Sequence, residues 1–193
     1  AARELFNIYE EQFNLHPEKQ DHRWRIEHAQ VTHPDDLPRY AALGVIPGTQ
    51  GIFACSDGPW VLDRLGAERT KERGYIFRSM AESGALIMNG TDPPVEEISP
   101  IASFHCSITR KLPDGSIFQP EQRLTREQAL RSYTINNAYA AFEEDIKGSI
   151  TPGKLADITV LSKDIMTVPE EDIPGTEIVY TIIGGEVKYK WSR

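Results

Sequence analysis

The sequence has no block in which lysine and arginine are interleaved with aromatic residues, and its formal net charge is −8. Neutralising phosphates needs clustered cations, so nucleic acid is excluded as an expected partner. No run of about 18 apolar residues occurs, so no membrane-spanning helix is expected. A secretory leader pattern is missing too. The chain opens instead on Ala1-Ala2-Arg3-Glu4, without Met and already in a helical pattern, and is expected to begin inside a longer protein. Cysteine is scarce: Cys55 and Cys106 are the only two, and there is no Cys-x-x-Cys. That count excludes a disulfide framework and leads to the expectation of a reduced or redox-indifferent, cytoplasmic setting. Ser107 lacks the Gly-x-Ser-x-Gly surroundings of a nucleophile elbow. Gly184-Gly185 belongs to no Gly-x-Gly-x-x-Gly fingerprint. No internal repeat or low-complexity segment is found.

The 193 residues, 39% of them hydrophobic and 26% charged, suit one globular domain or a domain and a half. Leu5, Ile8, Tyr9 and Phe13 recur at helical spacing, which predicts an amphipathic helix over 1–15. Trp24 to Ala29 reads as a buried strand. Pro34 and the acids at 35 and 36 start a short helix that Gly44 stops. Val45-Ile46 begins a second strand, and a mixed loop from Thr49 to Trp60 follows. A helix is expected over about 62–83, then a strand at Ala85–Asn89. Thr125-Arg126-Glu127-Gln128 is a capping box that opens a helix to about Phe142. Short strands, apolar on both faces and alternating with helices, predict an α/β fold with a parallel sheet. After Phe142 the pattern changes to turns, a strand at 157–161 and a Gly184-Gly185 hairpin between β-branched runs.

Two residues at strand ends carry the chemistry. His28 closes the run Trp24-Arg25-Ile26-Glu27-His28-Ala29-Gln30. A neutral imidazole there is either a metal ligand or a hydrogen-bonded core histidine. Asp92 follows an apolar strand and precedes Pro93-Pro94. A carboxylate there either ligates a metal or caps a turn. Phe53 and Trp60 line a substrate pocket or merely cover the sheet. His105-Cys106, read as neighbours on a strand, face opposite ways and are expected to pack. His16, His22 and His33 are expected to be solvated, and Ser56-Asp57-Gly58 to be a turn.

Taken together, these segments resemble the amidohydrolase superfamily, in particular the amidohydrolase 3 group. Arg25-Ile26-Glu27-His28-Ala29-Gln30 looks like its sixth-strand motif, and Leu43-Gly44-Val45-Ile46 through Gln50 like its seventh. Gly90-Thr91-Asp92-Pro93-Pro94-Val95 is similar to its eighth. Leu124–Ala140 resembles its last barrel helix, and Gly148–Asp157 the segment returning to its small β domain. The resemblance implies the C-terminal portion of a (β/α)8 TIM barrel, about strands six to eight, over residues 1–143. It implies part of a small β-sandwich over 144–193. It further implies one or two divalent metals, usually zinc, and hydrolysis of an amide- or formamide-type C–N bond in a small-molecule substrate. By the same resemblance His28 is a metal ligand, and Asp92 a ligand and the proton-accepting catalytic carboxylate. The expected partner is the missing N-terminal part of the same protein, without nucleic acid or membrane, and homo-oligomer formation is left open. The segment alone is expected to be inactive. A non-catalytic assembly or binding module derived from the same fold is the alternative. A barrel hydrolase using this corner for phosphate or sugar has no phosphate loop to support it.

Overall fold

The computed structural model describes residues 1–192. The fold is α/β, and two three-stranded sheets organise it. The first is parallel and consists of β1 (Arg25–Ile26), β2 (Ile46–Gln50) and β3 (Met88–Gly90), in that spatial order. The second is antiparallel: β4 (Ile158–Leu161), β5 (Ile178–Ile183) and β6 (Glu186–Lys190). Gly184 and Gly185 both take positive φ (58° and 83°) in the turn between β5 and β6, as a tight hairpin between twisted strands requires.

Helices cover the parallel sheet. α1 (Ala2–Leu15) packs through Ala2, Phe6, Tyr9 and Phe13. Phe6 is fully buried, edge-on to Tyr40 at 4.7 Å. Leu5 and Ile8, expected on the buried face, are exposed instead. The stripe Ala2-Phe6-Tyr9-Phe13 has equally good helical spacing and carries more aromatic surface. α2 (Leu37–Leu43) follows a single 3-10 turn at Pro34–Asp36 and ends on Gly44 in left-handed conformation, as expected. The loop expected over 49–60 is shorter than that: β2 runs to Gln50 and α3 (Phe53–Ser56) begins almost at once.

The single helix expected over 62–83 is three: α4 (Gly58–Leu65), α5 (Ala67–Arg73) and α6 (Phe77–Glu82). Gly66, at φ 77° and ψ 158°, and Tyr75, at φ 53°, break it. His105 and Cys106 lie on α7 (Pro100–Thr109), not on a strand. That helix is buried on most of its surface, so no amphipathic period shows in its sequence. α8 (Arg126–Tyr133) begins on the expected capping box at Thr125 and Gln128, and α9 (Ile135–Ala140) continues it after a break at Thr134.

One apolar core joins these elements, from Phe6 and Ile26 through Phe77 and Met80 to Ile108 and Phe118. Ile165 and Ile173, in the connection between β4 and β5, are buried in the same core. Cys55 and Cys106 are joined as a disulfide that links α3 to α7, with Cα atoms 6.1 Å apart. This corrects the expectation of unpaired thiols: a separation of 51 residues leaves no local pattern that would show the pairing.

Candidate metal and catalytic site

The three strands of a parallel sheet end on the same rim. His28 follows β1, Gly51 follows β2 and Asp92 follows β3, so the sheet delivers all three loops to one edge. His28 and Asp92, the two residues singled out from the sequence, are brought together. His28 Nε2 lies 3.8 Å from Asp92 Oδ2, with half of the imidazole and about a third of the carboxylate side chain open (50% and 37%). Both residues are left-handed, with φ of 53° and 54°. Non-glycine residues visit that region rarely, at a cost of order 1–3 kcal/mol each, although Asp and His tolerate it better than most.

Each of the two is held from behind. Ala29 N–H donates to Gly48 O at 2.9 Å and Gln30 N–H to His28 O at 2.7 Å, which fixes the turn at His28. The imidazole lies parallel to the Phe53 ring, 6.3 Å between centroids and 8° between planes. Phe53 is therefore the aromatic neighbour of the site, while Trp60 is exposed. On the other side, the Tyr133 hydroxyl donates to Gly90 O at 3.2 Å. The Asn137 carboxamide accepts from Asn89 N–H (3.4 Å) and donates to Asn89 O (3.0 Å). Asn136 donates to Ile87 O at 2.8 Å.

Between them, β2 must pass close to α7. A Cβ built on Gly51 would lie 2.1 Å from Ser107 Oγ, so only glycine lets the strand turn into α3 there. Gly51 N–H donates to the side chain of Asn89 at 2.8 Å. Gln50, next to it, is 7% exposed, and among the described residues its Oε1 finds no hydrogen-bond partner. A Cβ at Gly48 would meet Glu27 Oε2, so Gln50, two residues on, shares the sheet face that carries Glu27.

A second cluster adjoins His28. The Tyr75 hydroxyl donates to Asp57 Oδ2 at 2.5 Å, and Gln30 Nε2 donates to the same oxygen at 3.3 Å. Burial raises the Asp57 carboxyl above the ordinary carboxylate range, against the lowering pull of the Tyr75 hydroxyl. Burial and the hydrogen bond to Asp57 together raise Tyr75 as well. Nothing local in the sequence marks Asp57, Tyr75 or Gln50. Ser56-Asp57-Gly58 reads as a turn, Tyr75 falls inside an apparent helix, and their separations carry no local pattern.

The remaining candidates stay apart from this corner. His16 faces Glu18 and is exposed. His33 caps the 3-10 turn through Asp35 N–H. His22 is not simply solvated; it stacks on Phe13, 3.6 Å between centroids. His105 is half-buried, and burial lowers its pKa. Among the described residues no group of three or more His, Cys, Asp or Glu side chains could enclose a metal. His28 and Asp92 nonetheless fit one: donor bonds of about 2.0–2.2 Å allow a single ion to reach both atoms of a pair 3.8 Å apart. They supply two donors of the three or four that such a site needs.

Residues 1–189 match the model of the amidohydrolase 3 group, described as the amidohydrolase family. The chain is 34% identical over 170 residues to Protein LONG AFTER FAR-RED 3 of Arabidopsis thaliana, a match covering 88% of this chain and 29% of that protein. It is 31% identical over 180 residues to the putative amidohydrolase YtcJ of Bacillus subtilis (92% and 34%). It is 26% identical over 166 residues to the N-substituted formamide deformylase of Arthrobacter pascens (86% and 31%). An uncharacterised metal-dependent hydrolase from Pyrococcus horikoshii superposes with a TM-score of 0.67 at 31% identity, covering 76% of this chain and 30% of that one. The chain thus spans about a third of the length of the curated relatives it matches. With the family model matched over residues 1–189, the chain belongs to the amidohydrolase family.

Proposed function

We propose that this chain is the C-terminal part of a metal-dependent hydrolase of amide- or formamide-type C–N bonds. The observation that carries the reading is the pairing of His28 Nε2 and Asp92 Oδ2 at 3.8 Å on the carboxyl rim of a parallel sheet. In this reading β1, β2 and β3 are strands six to eight of a (β/α)8 barrel, over residues 1–143. β4, β5 and β6 belong to a small sandwich over 144–193. Placement of the site at the carboxyl ends of the strands is where barrel enzymes keep their chemistry. Membership of the amidohydrolase family and likeness to a metal-dependent hydrolase support the class of reaction.

His28 would hold a divalent ion, zinc being the expected one, through Nε2, and Asp92 would hold it through one carboxylate oxygen. A bound divalent ion supplies water of lowered pKa and a polarised substrate carbonyl. Asp92 would accept the proton of the attacking water and return it to the departing amine nitrogen, as a general base and then a general acid. Phe53 stacks parallel to the imidazole, 6.3 Å away. The remaining ligands would come from the missing N-terminal part of the same protein, and the segment alone would be inactive.

The test is metal content and turnover of the full-length protein. About one or two divalent ions per chain are expected. His28→Ala should lower both metal content and hydrolysis of an N-substituted formamide. A metal-free, fully folded protein, or unchanged hydrolysis in His28→Ala, would overturn the reading in favour of a non-catalytic module.

A further inference from the structure

The turn that carries His28 is tied to the junction of α5 and α6. Tyr75 N–H donates to Gln30 O at 2.6 Å, Thr32 N–H donates to Arg73 O at 3.0 Å, and Val31 pairs with Gly74 in an isolated bridge. Side chains repeat the tie. Gln30 Nε2 lies 3.3 Å from Asp57 Oδ2 and 3.4 Å from the Tyr75 hydroxyl, which itself donates to Asp57 at 2.5 Å. Two left-handed non-glycine residues, His28 and Tyr75, stand at the two ends of this link, each at φ 53°. Neither conformation is favourable on its own, so surrounding contacts must hold both. Tyr75 is buried, with its ring edge-on to Phe77 (6.1 Å) and Phe118 (5.9 Å). Asp57 sits one turn after Phe53, whose carbonyl accepts from Asp57 N–H at 2.9 Å. The same cluster therefore also fixes the short helix that lays Phe53 against the imidazole.

We propose that Tyr75, acting through Asp57 and Gln30, is a positioning residue: it holds the residue 28–32 turn in the one conformation that presents His28 Nε2 towards Asp92. This rests on the reading of His28 as a metal ligand. The Tyr75 hydroxyl and the Asp57 carboxylate reach the turn through the Gln30 side chain, two residues after His28. Groups that orient a ligand from behind typically change metal affinity or activity about 10–100-fold when removed.

The test uses the full-length protein and three variants. Tyr75→Phe keeps the ring between Phe77 and Phe118 and removes only the hydroxyl. Asp57→Asn keeps an acceptor for that hydroxyl, and Asp57→Ala does not. In metal-free protein, hydrogen exchange at the amides of residues 29–32 should accelerate about tenfold in Tyr75→Phe and Asp57→Ala, with α7 unchanged. Zinc affinity, measured by competition with a chromogenic chelator, should fall about tenfold in the same two variants. Asp57→Asn should stay within about threefold of wild type, because the hydrogen bond survives. kcat should fall with KM within about twofold, since the lost contact is remote from substrate.

Unchanged exchange at residues 29–32 in Tyr75→Phe overturns the proposal whether or not the wild-type protein binds zinc, so the network and the metal reading can fail separately. Faster exchange with unchanged zinc affinity, in a wild type that binds zinc, overturns it equally. A raised KM with intact kcat in Asp57→Asn does so as well, by making Asp57 a substrate contact. If Tyr75→Phe does not fold, Asp57→Ala against Asp57→Asn makes the same comparison, and equal exchange in those two overturns it.

Discussion

His28 and Asp92 meet at 3.8 Å although their strands are not neighbours, for β2 lies between β1 and β3. The left-handed backbone at each residue turns both chains across the end of the middle strand. Gly51, just after β2, keeps the middle strand close to α7, where a Cβ would meet Ser107 Oγ. A pair assembled in this way can be tested one member at a time.

His28→Ala removes the proposed metal donor, a half-exposed imidazole outside the apolar core. Metal content of the full-length protein should drop, and turnover should fall by about 10²-fold or more. Atomic absorption and initial rates on the same sample would check both; retained metal with normal turnover would remove His28 from the site.

Asp92→Asn preserves shape and the turn ahead of Pro93. The fold should be retained and kcat should fall about 10²–10⁴-fold, the usual contribution of a positioned proton acceptor. Circular dichroism and single-turnover kinetics would decide it, and near-normal turnover would end the proposal that Asp92 moves a proton.

The bond between Cys55 and Cys106 closes a loop across 51 positions. Loop-entropy arguments give a stabilisation of about 4 kcal/mol, as an upper bound. Replacing both cysteines by serine should lower the urea midpoint with an unchanged slope. An unaltered midpoint would mean that packing alone keeps α3 on α7.

Arg110 is fully buried, and among the described residues its two terminal nitrogens find no hydrogen-bond partner. Nε donates to Phe118 O at 3.1 Å, while the guanidinium lies 5.5 Å from the Phe77 ring and 5.2 Å from the Phe118 ring. Burial lowers its proton affinity. Replacing a charge held mainly by two rings with an apolar side chain of similar length is often neutral or stabilising. Arg110→Met should therefore unfold at equal or higher urea concentration; a loss of more than about 2 kcal/mol would show that the ring contacts outweigh desolvation.

The 193-residue segment expressed by itself should associate. Ile183, Val187 and Tyr189 are about half exposed on β5 and β6, and β6 is an open sheet edge. Uncovered apolar strands of this kind recruit other chains. Light scattering at micromolar concentration would show the aggregates, and a monodisperse monomer would contradict the expectation.

Much of this architecture is legible from local chemistry. The capping box at Thr125, the stop at Gly44 and the Gly184-Gly185 turn each act within a few residues, and the structure contains all three. The parallel strands are legible only in part: Ile26 and Ile46 are buried as expected, but β1 is two residues long with Arg25 exposed, and Thr49, Gln50 and Asn89 put polar side chains into β2 and β3. α7 is not legible, because a helix buried nearly all round shows no period. The breaks at Gly66 and Tyr75 are not legible, because the helical pattern runs on through them and tertiary contacts decide where it stops. The ends of β1 and β3 pointed to His28 and Asp92. Gln50, Asp57 and Tyr75 belong to the same corner only through folding, since no spacing of fewer than eighteen residues links Asp57 to Tyr75.

Three residues of β3 or its approach, Ile87, Asn89 and Gly90, are gripped by side chains of α8 and α9. Those grips define the register of the strand. A slip by one position would send every side chain to the opposite face, and Asp92 would leave the rim. The address of the carboxylate is thus written more than forty residues downstream, in Tyr133, Asn136 and Asn137.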